Sequence, residues 1–207
     1  MGVKVIYMAK TLLIATRNKG KVREFERMLI GVSFEVVGLD DLGIDIEVEE
    51  TGSTFEENAV LKAKAYGEAA GVLTLADDSG LVVDALGGEP GVLSARYGGE
   101  GLTDDDRVQL VLQKLNRTSG WNRQARFIAV LALVGNEVPN GLVISRGVVE
   151  GAIAHEPIGN NGFGYDPIFW ITSHTKTTAQ MSAEEKDSVS HRGIAMQSLM
   201  GSLTSIY

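Results

Sequence analysis

The sequence predicts an α/β domain, and three observations carry that expectation. Short apolar segments at 11–15 (TLLIA) and 72–76 (VLTLA) read as buried strands, each beside a segment whose apolar residues recur at helical spacing. Two longer strand-like runs, 126–134 and 142–154, are separated by Gly135-Asn136 and Pro139-Asn140-Gly141, which predicts a long antiparallel ribbon. No linker or repeat interrupts the 207 residues, and 44% hydrophobic content with 4 prolines is enough for one substantial core.

Taken in order, residues 1–8 read as a short N-terminal extension, an arm of an edge strand, with Met8 as an alternative start. After the first strand, Val22, Phe25, Met28 and Leu29 recur at helical spacing, and 32–39 offers a further strand. An acidic connection, 40–50, leads to a central helix. Ser53 with Glu56 fits a capping box, so that helix is expected to begin near Thr54. At about 100° per residue, Phe55, Ala59, Tyr66 and Ala69 share one face and Glu56, Glu57, Lys64 and Glu68 the other. Asn58 and Lys62 interrupt the apolar face. Lys62 either snorkels to solvent or faces an anion, because a buried ammonium needs a partner.

Beyond the strand at 72–76, Asp77 and Asp78 are expected at its carboxyl end, the edge where open α/β sheets bind ligands. Asp78-Ser79-Gly80 is also an ordinary turn sequence. Residues 81–84 and the glycine-rich 87–91 read as strand and loop, and Thr103 caps a helix carrying Val108, Val111, Leu112 and Leu115. A polar connection, 116–124, precedes the ribbon. Ser182 with Glu185 forms another capping box, and Ser190 is a natural cap for a last helix whose first turn holds His191 and Arg192.

Three features point to an anionic ligand. The basic loop Thr16-Arg17-Asn18-Lys19-Gly20-Lys21 joins a strand to a helix start, where free backbone N–H groups suit a phosphate, although a solvated basic turn has the same composition. It lacks the GxxxxGK[ST] spacing of a Walker A loop. The paired carboxylates Glu49-Glu50 and Asp77-Asp78 bracket the central helix, and one from each pair could hold Mg²⁺, which takes one or two carboxylates plus substrate phosphates. The stretch 159–162 (GNNG) leads into Phe163-Gly164-Tyr165-Asp166, whose rings either stack on a base or pack into the core.

Composition removes other classes. No cysteine is present, so thiolate chemistry and disulfides are excluded, and three histidines without ligand spacing argue against zinc. A net charge of −8 argues against a nucleic-acid partner gripped through a broad basic surface. The longest apolar runs fall far short of the roughly 20 residues a membrane helix needs. No signal peptide is recognisable, and Ile6 spoils the myristoylation pattern begun by Gly2, so a cytoplasmic location is the default.

Together, ATRNKGKVREF, EETGSTFEENAVLKAKA, ADDSGLVVDALGGEPGVLSARY, RQARF, GNNGFGYDPIF and EEKDSVSHRG, in this order from about Leu12 onward, resemble the Ham1-type inosine/xanthosine triphosphate pyrophosphatases. The resemblance implies an elongated single α/β domain with a central mixed β-sheet flanked by helices, assembled as a homodimer. It implies hydrolysis of ITP, dITP and XTP to the monophosphate and pyrophosphate. By the same resemblance Thr16 to Lys21 would hold the triphosphate, Glu49 and Asp78 would contact Mg²⁺, and Asp78 would be the general base. Ser79, Lys62, Lys186, His191 and Arg192 would contact substrate, with Phe163, Gly164, Tyr165 and Asp166 around the base. Arg17 and Lys19 make the phosphate loop more basic than the family pattern requires. Two rivals stand beside this expectation: a pyrophosphatase of modified pyrimidine nucleotides, and a catalytically silent nucleotide-binding module.

Overall fold

The structure, a computed structural model, describes residues 10–118 and 122–206. The expected N-terminal extension, 1–8, and part of the polar connection 116–124 lie outside the described residues. Seven strands form one mixed sheet: β1 (Lys10–Ile14), β2 (Phe34–Gly38), β3 (Leu73–Val83), β4 (Gln124–Val134), β5 (Leu142–Ile153), β6 (Phe169–Ile171) and β7 (Lys176–Thr177). Their order across the sheet is β2-β1-β3-β4-β5-β6-β7. β1 runs parallel to β2 and β3, and every later neighbour is antiparallel. The ribbon expected from 126–134 and 142–154 is β4 with β5, in register from Gln124 opposite Ala152 to Val134 opposite Leu142.

Among the described residues five α-helices cover the sheet: α1 (Lys19–Met28), α2 (Phe55–Ala70), α3 (Asp104–Arg117), α4 (Ala183–Val189) and α5 (His191–Ile206). The period-2 alternation of strand side chains assigns them to faces. Leu12 and Ile14 of β1 join Phe25 of α1 and Ala195, Leu199 and Leu203 of α5 in one core. Leu13 and Ala15 join Ala59, Ala63 and Tyr66 of α2 in the core on the opposite face. A third core gathers Val108, Val111, Leu112 and Leu115 of α3 against Leu81, Val83 and Phe127.

Two expectations about local structure need correction. Thr54, not Ser53, caps α2: its hydroxyl accepts from Glu57 N–H, and the Glu57 carboxylate accepts from Thr54 and Ser53 in return. Both Ser53/Glu56 and Thr54/Glu57 fit the spacing, and Ser53 is recruited instead as a further donor to Glu57, through its hydroxyl as well as its N–H. Ala69, expected on the buried face, is exposed beside the Gly71 terminus of the helix.

The larger correction concerns β3. Asp77 and Asp78 do not end a strand, and Asp78-Ser79-Gly80 is not a turn; the strand runs through them to Val83. Acidic residues are depleted in strands, but here β4 supplies a continuous antiparallel partner, with Leu131, Val130 and Ala129 opposite Asp77, Asp78 and Ser79. Pairing with β1 stops at Leu75, where Ala15 N–H makes the last link to Leu75 C=O at 2.8 Å. Beyond that point β1 turns away into Thr16, and a notch opens beside the two aspartates.

Candidate active site

The strand pleat separates the adjacent carboxylates. Asp77 points to the α1 and α5 face, and Asp78 to the α2 face, because successive strand side chains alternate. Their partners differ accordingly. Asp77 Oδ2 accepts from Arg192 Nη2 of α5 at 3.0 Å and Ser79 Oγ at 3.1 Å, and pairs with Lys21 Nζ of α1 at 2.9 Å. Asp78 Oδ1 accepts from Lys62 Nζ of α2 at 2.9 Å, and the same ammonium donates to Glu50 Oε1 at 2.6 Å. Lys62 therefore faces anions and does not snorkel.

Their electrostatics diverge as well. Burial would raise Asp77, but Arg192 and Lys21 overcome it and hold the carboxyl far below the usual carboxylate range. At Asp78 burial wins over Lys62, and the carboxyl is raised. Burial also opposes Lys62 and Glu50, yet the attraction of Asp78 and Glu50 raises the ammonium and that of Lys62 lowers Glu50. Asp78 Oδ2 is buried with no hydrogen-bond partner among the described residues, as is Asp77 Oδ1.

The basic loop of the sequence is the entry to α1. Asn18 caps the helix, its Oδ1 accepting from Gly20 N–H at 2.9 Å and Lys21 N–H at 3.1 Å, and Thr16 Oγ1 accepts from Asn18 N–H. Lys19 is exposed. The Arg17 side chain turns away from the notch, donating to Ile44 C=O at 2.9 Å and Ile46 C=O at 3.3 Å, with Asp40 at 3.5 Å. It ties this loop to the connection that carries Glu49 and Glu50. Of those two, Glu50 reaches Lys62 and also accepts from Arg96 at 2.9 Å, while Glu49 is exposed.

Across the cleft, the glycine-rich loop is knotted by Asp166. Its buried carboxylate accepts from Phe163 N–H at 2.9 Å and Thr178 Oγ1 at 2.9 Å, and pairs with Lys186. The knot presents the Phe163 ring toward α1, where a Cβ on Gly20 would stand 2.5 Å from the ring. Only glycine permits that approach. Lys186 Nζ lies 4.9 Å and the Arg192 guanidinium 5.8 Å from the ring centre. Gly164 N–H is held by Asp104 of α3 at 2.8 Å. Tyr165 takes the core alternative: its ring is buried and its hydroxyl donates to Ser94 C=O at 2.9 Å. His191 is buried and stacks on Phe127 with ring centres 4.6 Å apart. Burial, then the charge of Arg192, lowers its pKa well below the ordinary histidine value, so the ring is neutral.

Glu24 of α1 is one residue that sequence reasoning missed, and Arg107 of α3 on the cavity wall is another. Glu24 is 4% exposed and pairs with both Lys186, at 2.8 Å, and Arg192, welding α1 to α4 and α5. Its signal was a carboxylate one turn before Met28 on the sheet-facing side of α1. One cavity is lined by Asn18, Lys21, Ser79, Phe163, His191 and Arg192, so most predicted substrate residues converge on a single cleft; Asp78, Lys62 and Glu50 are not on its wall and gather instead around the Lys62 ammonium of α2.

Comparison with known proteins identifies the family of the chain. The Ham1 family model matches residues 12–202. The dITP/XTP pyrophosphatase of Bacillus anthracis is 46% identical over 190 residues, covering 92% of this chain and 94% of that protein. That of Symbiobacterium thermophilum is 48% identical over 188 residues, 90% and 91% of the two chains. The HAM1 protein structure from Coxiella burnetii superposes with a TM-score of 0.85 at 42% identity, covering 95% of this chain and 99% of that one. A chain that carries this sheet, this cleft and this degree of likeness along nearly its whole length belongs to the Ham1 family.

Proposed function

We propose that this protein hydrolyses deaminated purine nucleoside triphosphates, ITP, dITP and XTP, to the monophosphate and pyrophosphate, with Asp78 as the general base. The observation that carries the reading is Asp78 itself: a buried carboxyl that burial raises, one oxygen held by Lys62 and the other without a partner among the described residues, on the part of β3 beyond its pairing with β1. A carboxylate made more basic by burial is a better acceptor for the proton of an attacking water. The B. anthracis and S. thermophilum relatives are named dITP/XTP pyrophosphatases, which supports two of these three substrates.

In this reading, water oxygen bonds to the α-phosphorus, its proton passes to Asp78, and the bond from that phosphorus to the bridging oxygen breaks, releasing pyrophosphate. Lys21 and Lys62 balance phosphate charge, as phosphoryl transfer requires. The α1 entry, Thr16 to Lys21, receives the phosphates, Ser79 and Arg192 line the route to them, and Phe163, Lys186 and His191 border the base. Asp166 and Tyr165 shape that border from behind.

The residues fit a bound Mg²⁺. Asp78 Oδ2 is an orphan oxygen, Glu50 is linked to Asp78 through Lys62, and among the described residues no group of three acidic, histidine or cysteine side chains forms a closed cage. Mg²⁺ is suited to such a site, with one or two carboxylates and the remaining ligands from phosphate and water. Asp78 would hold it with Glu49, the carboxylate the resemblance implies, or with Glu50, which here shares Lys62 with Asp78, and it would supply charge neutralisation at the phosphate oxygens. The homodimer implied by the resemblance and the cytoplasmic location expected from the sequence belong to the same proposal. Among the described residues no helix is long and apolar enough to cross a membrane.

The test is product identity. Incubation with ITP and Mg²⁺ yields IMP and pyrophosphate in equal amounts, and excess chelator stops the reaction. Release of inorganic phosphate and IDP instead would overturn the reading.

A further inference from the structure

Arg107 is the cationic side chain on the cavity wall that is left without a close partner. Its side chain is only 14% exposed, yet Nε–H is buried with no hydrogen-bond partner among the described residues. Its nearest carboxylate, Asp104 one turn earlier on α3, stands 3.6 Å from Nη1, beyond hydrogen-bond length. A guanidinium carries five donors and no acceptor, and buried donors in folded proteins are almost always paired. The other cations of this wall are engaged: Lys21 with Asp77, Lys186 with Glu24 and Asp166, and Arg192 with Glu24, Asp77 and Ser79.

Position indicates which part of a ligand Arg107 meets. Lys21 and Lys62 stand with the aspartates at the α1 and α2 side of the notch. Arg107 lines the same cavity as Lys21 and lies near Tyr165, on whose hydroxyl its charge acts. Asp104, its companion, holds Gly164 N–H, so the start of α3 is fastened to the loop that presents Phe163. This is the nucleoside side of the cleft.

We infer that Arg107 is a specificity-determining residue, its guanidinium, held only by the loose pair with Asp104, donating through its outer nitrogens to a carbonyl oxygen on the edge of the bound base. The inference rests on the purine triphosphate reading above. Hypoxanthine and xanthine present a carbonyl acceptor at position 6 where adenine presents an amino donor. A guanidinium is matched by the first and left facing a donor by the second, so Arg107 favours ITP and XTP over ATP.

The experiment compares Arg107→Met and Arg107→Lys with wild type, using kcat/KM for ITP and ATP, inhibition by tripolyphosphate, and Tm. Loss of a charged hydrogen bond in Arg107→Met lowers kcat/KM by about 10- to 100-fold for ITP and less than about threefold for ATP. Tripolyphosphate inhibition and Tm stay near wild type, and Arg107→Lys recovers part of the ITP rate. An unchanged ITP-to-ATP ratio in a folded Arg107→Met protein, or weaker tripolyphosphate inhibition, would overturn the assignment and leave the purine reading standing. A wild type that does not hydrolyse ITP overturns both.

Discussion

Lys62 Nζ stands 2.9 Å from Asp78 Oδ1 and 2.6 Å from Glu50 Oε1, so one ammonium joins a strand carboxylate to a loop carboxylate. Adjacent Asp77 makes none of these contacts and belongs to Arg192 and Lys21 on the other face. The two aspartates should therefore separate stability from activity. Asp78→Asn removes nearly all turnover while Tm holds or rises, since burial already disfavours that charge. Asp77→Asn leaves Arg192 and Lys21 short of their counter-charge and costs on the order of 3 kcal/mol of stability. Thermal melts and single-turnover rates on both variants check this, and equal effects on both readouts would erase the division.

Lys62→Met restores an apolar surface to α2 but leaves Glu50 and Asp78 without the cation between them. Loss of a positioned donor of this kind lowers kcat/KM by about 10² to 10³, and leaving the two carboxylates without their shared cation lowers Tm as well. A stable variant with wild-type kinetics would show that Lys62 only fills space.

Gly20 and Phe163 make a steric prediction. A methyl at position 20 would stand 2.5 Å from the ring and displace it. Gly20→Ala and Phe163→Ala should both raise KM for ITP, by up to the worth of base stacking, about 1–3 kcal/mol. Tripolyphosphate, which has no base, should inhibit Phe163→Ala as it does wild type. Equal losses for ITP and tripolyphosphate would make the ring structural.

His191 sets a pH dependence of stability. Its folded-state pKa lies well below the ordinary value, by burial first and Arg192 second, while the unfolded chain takes up the proton near pH 6.5. Between those two values the unfolded state binds more protons, so stability rises with pH across that window and falls as pH drops below about 6.5. His191→Phe retains a ring against Phe127 and removes the proton site. Its Tm should fall less than that of wild type between about pH 7 and pH 5.5; parallel curves would contradict the assignment.

Local pattern made much of this molecule legible before its structure. Val108, Val111, Leu112 and Leu115 are buried as their spacing requires, and the β4–β5 ribbon and the Ser182 capping box lie where the sequence puts them. Non-local events were not legible. Asp77 to Gly80 read as a strand end because nothing near them announces that β4, some fifty residues later, pairs with them throughout. Glu24 became visible only once α4 and α5 brought Lys186 and Arg192 to it. The Arg17 side chain, read as a phosphate ligand, instead spans to Ile44 and Ile46, a contact that depends on how the 43–54 connection folds back.

Base selection is the most direct test of the central claim. Pyrophosphate release from ITP, dITP, XTP, GTP and ATP is measured at one Mg²⁺ concentration. The 6-carbonyl separates the deaminated purines from adenine, and the 2-amino group separates guanine from hypoxanthine and xanthine. A site that matches polar edges rejects a mismatched one by ~10² or more in kcat/KM. The account predicts comparable kcat/KM for ITP, dITP and XTP, with GTP and ATP lower by at least ~10². GTP hydrolysed as well as ITP would contradict it.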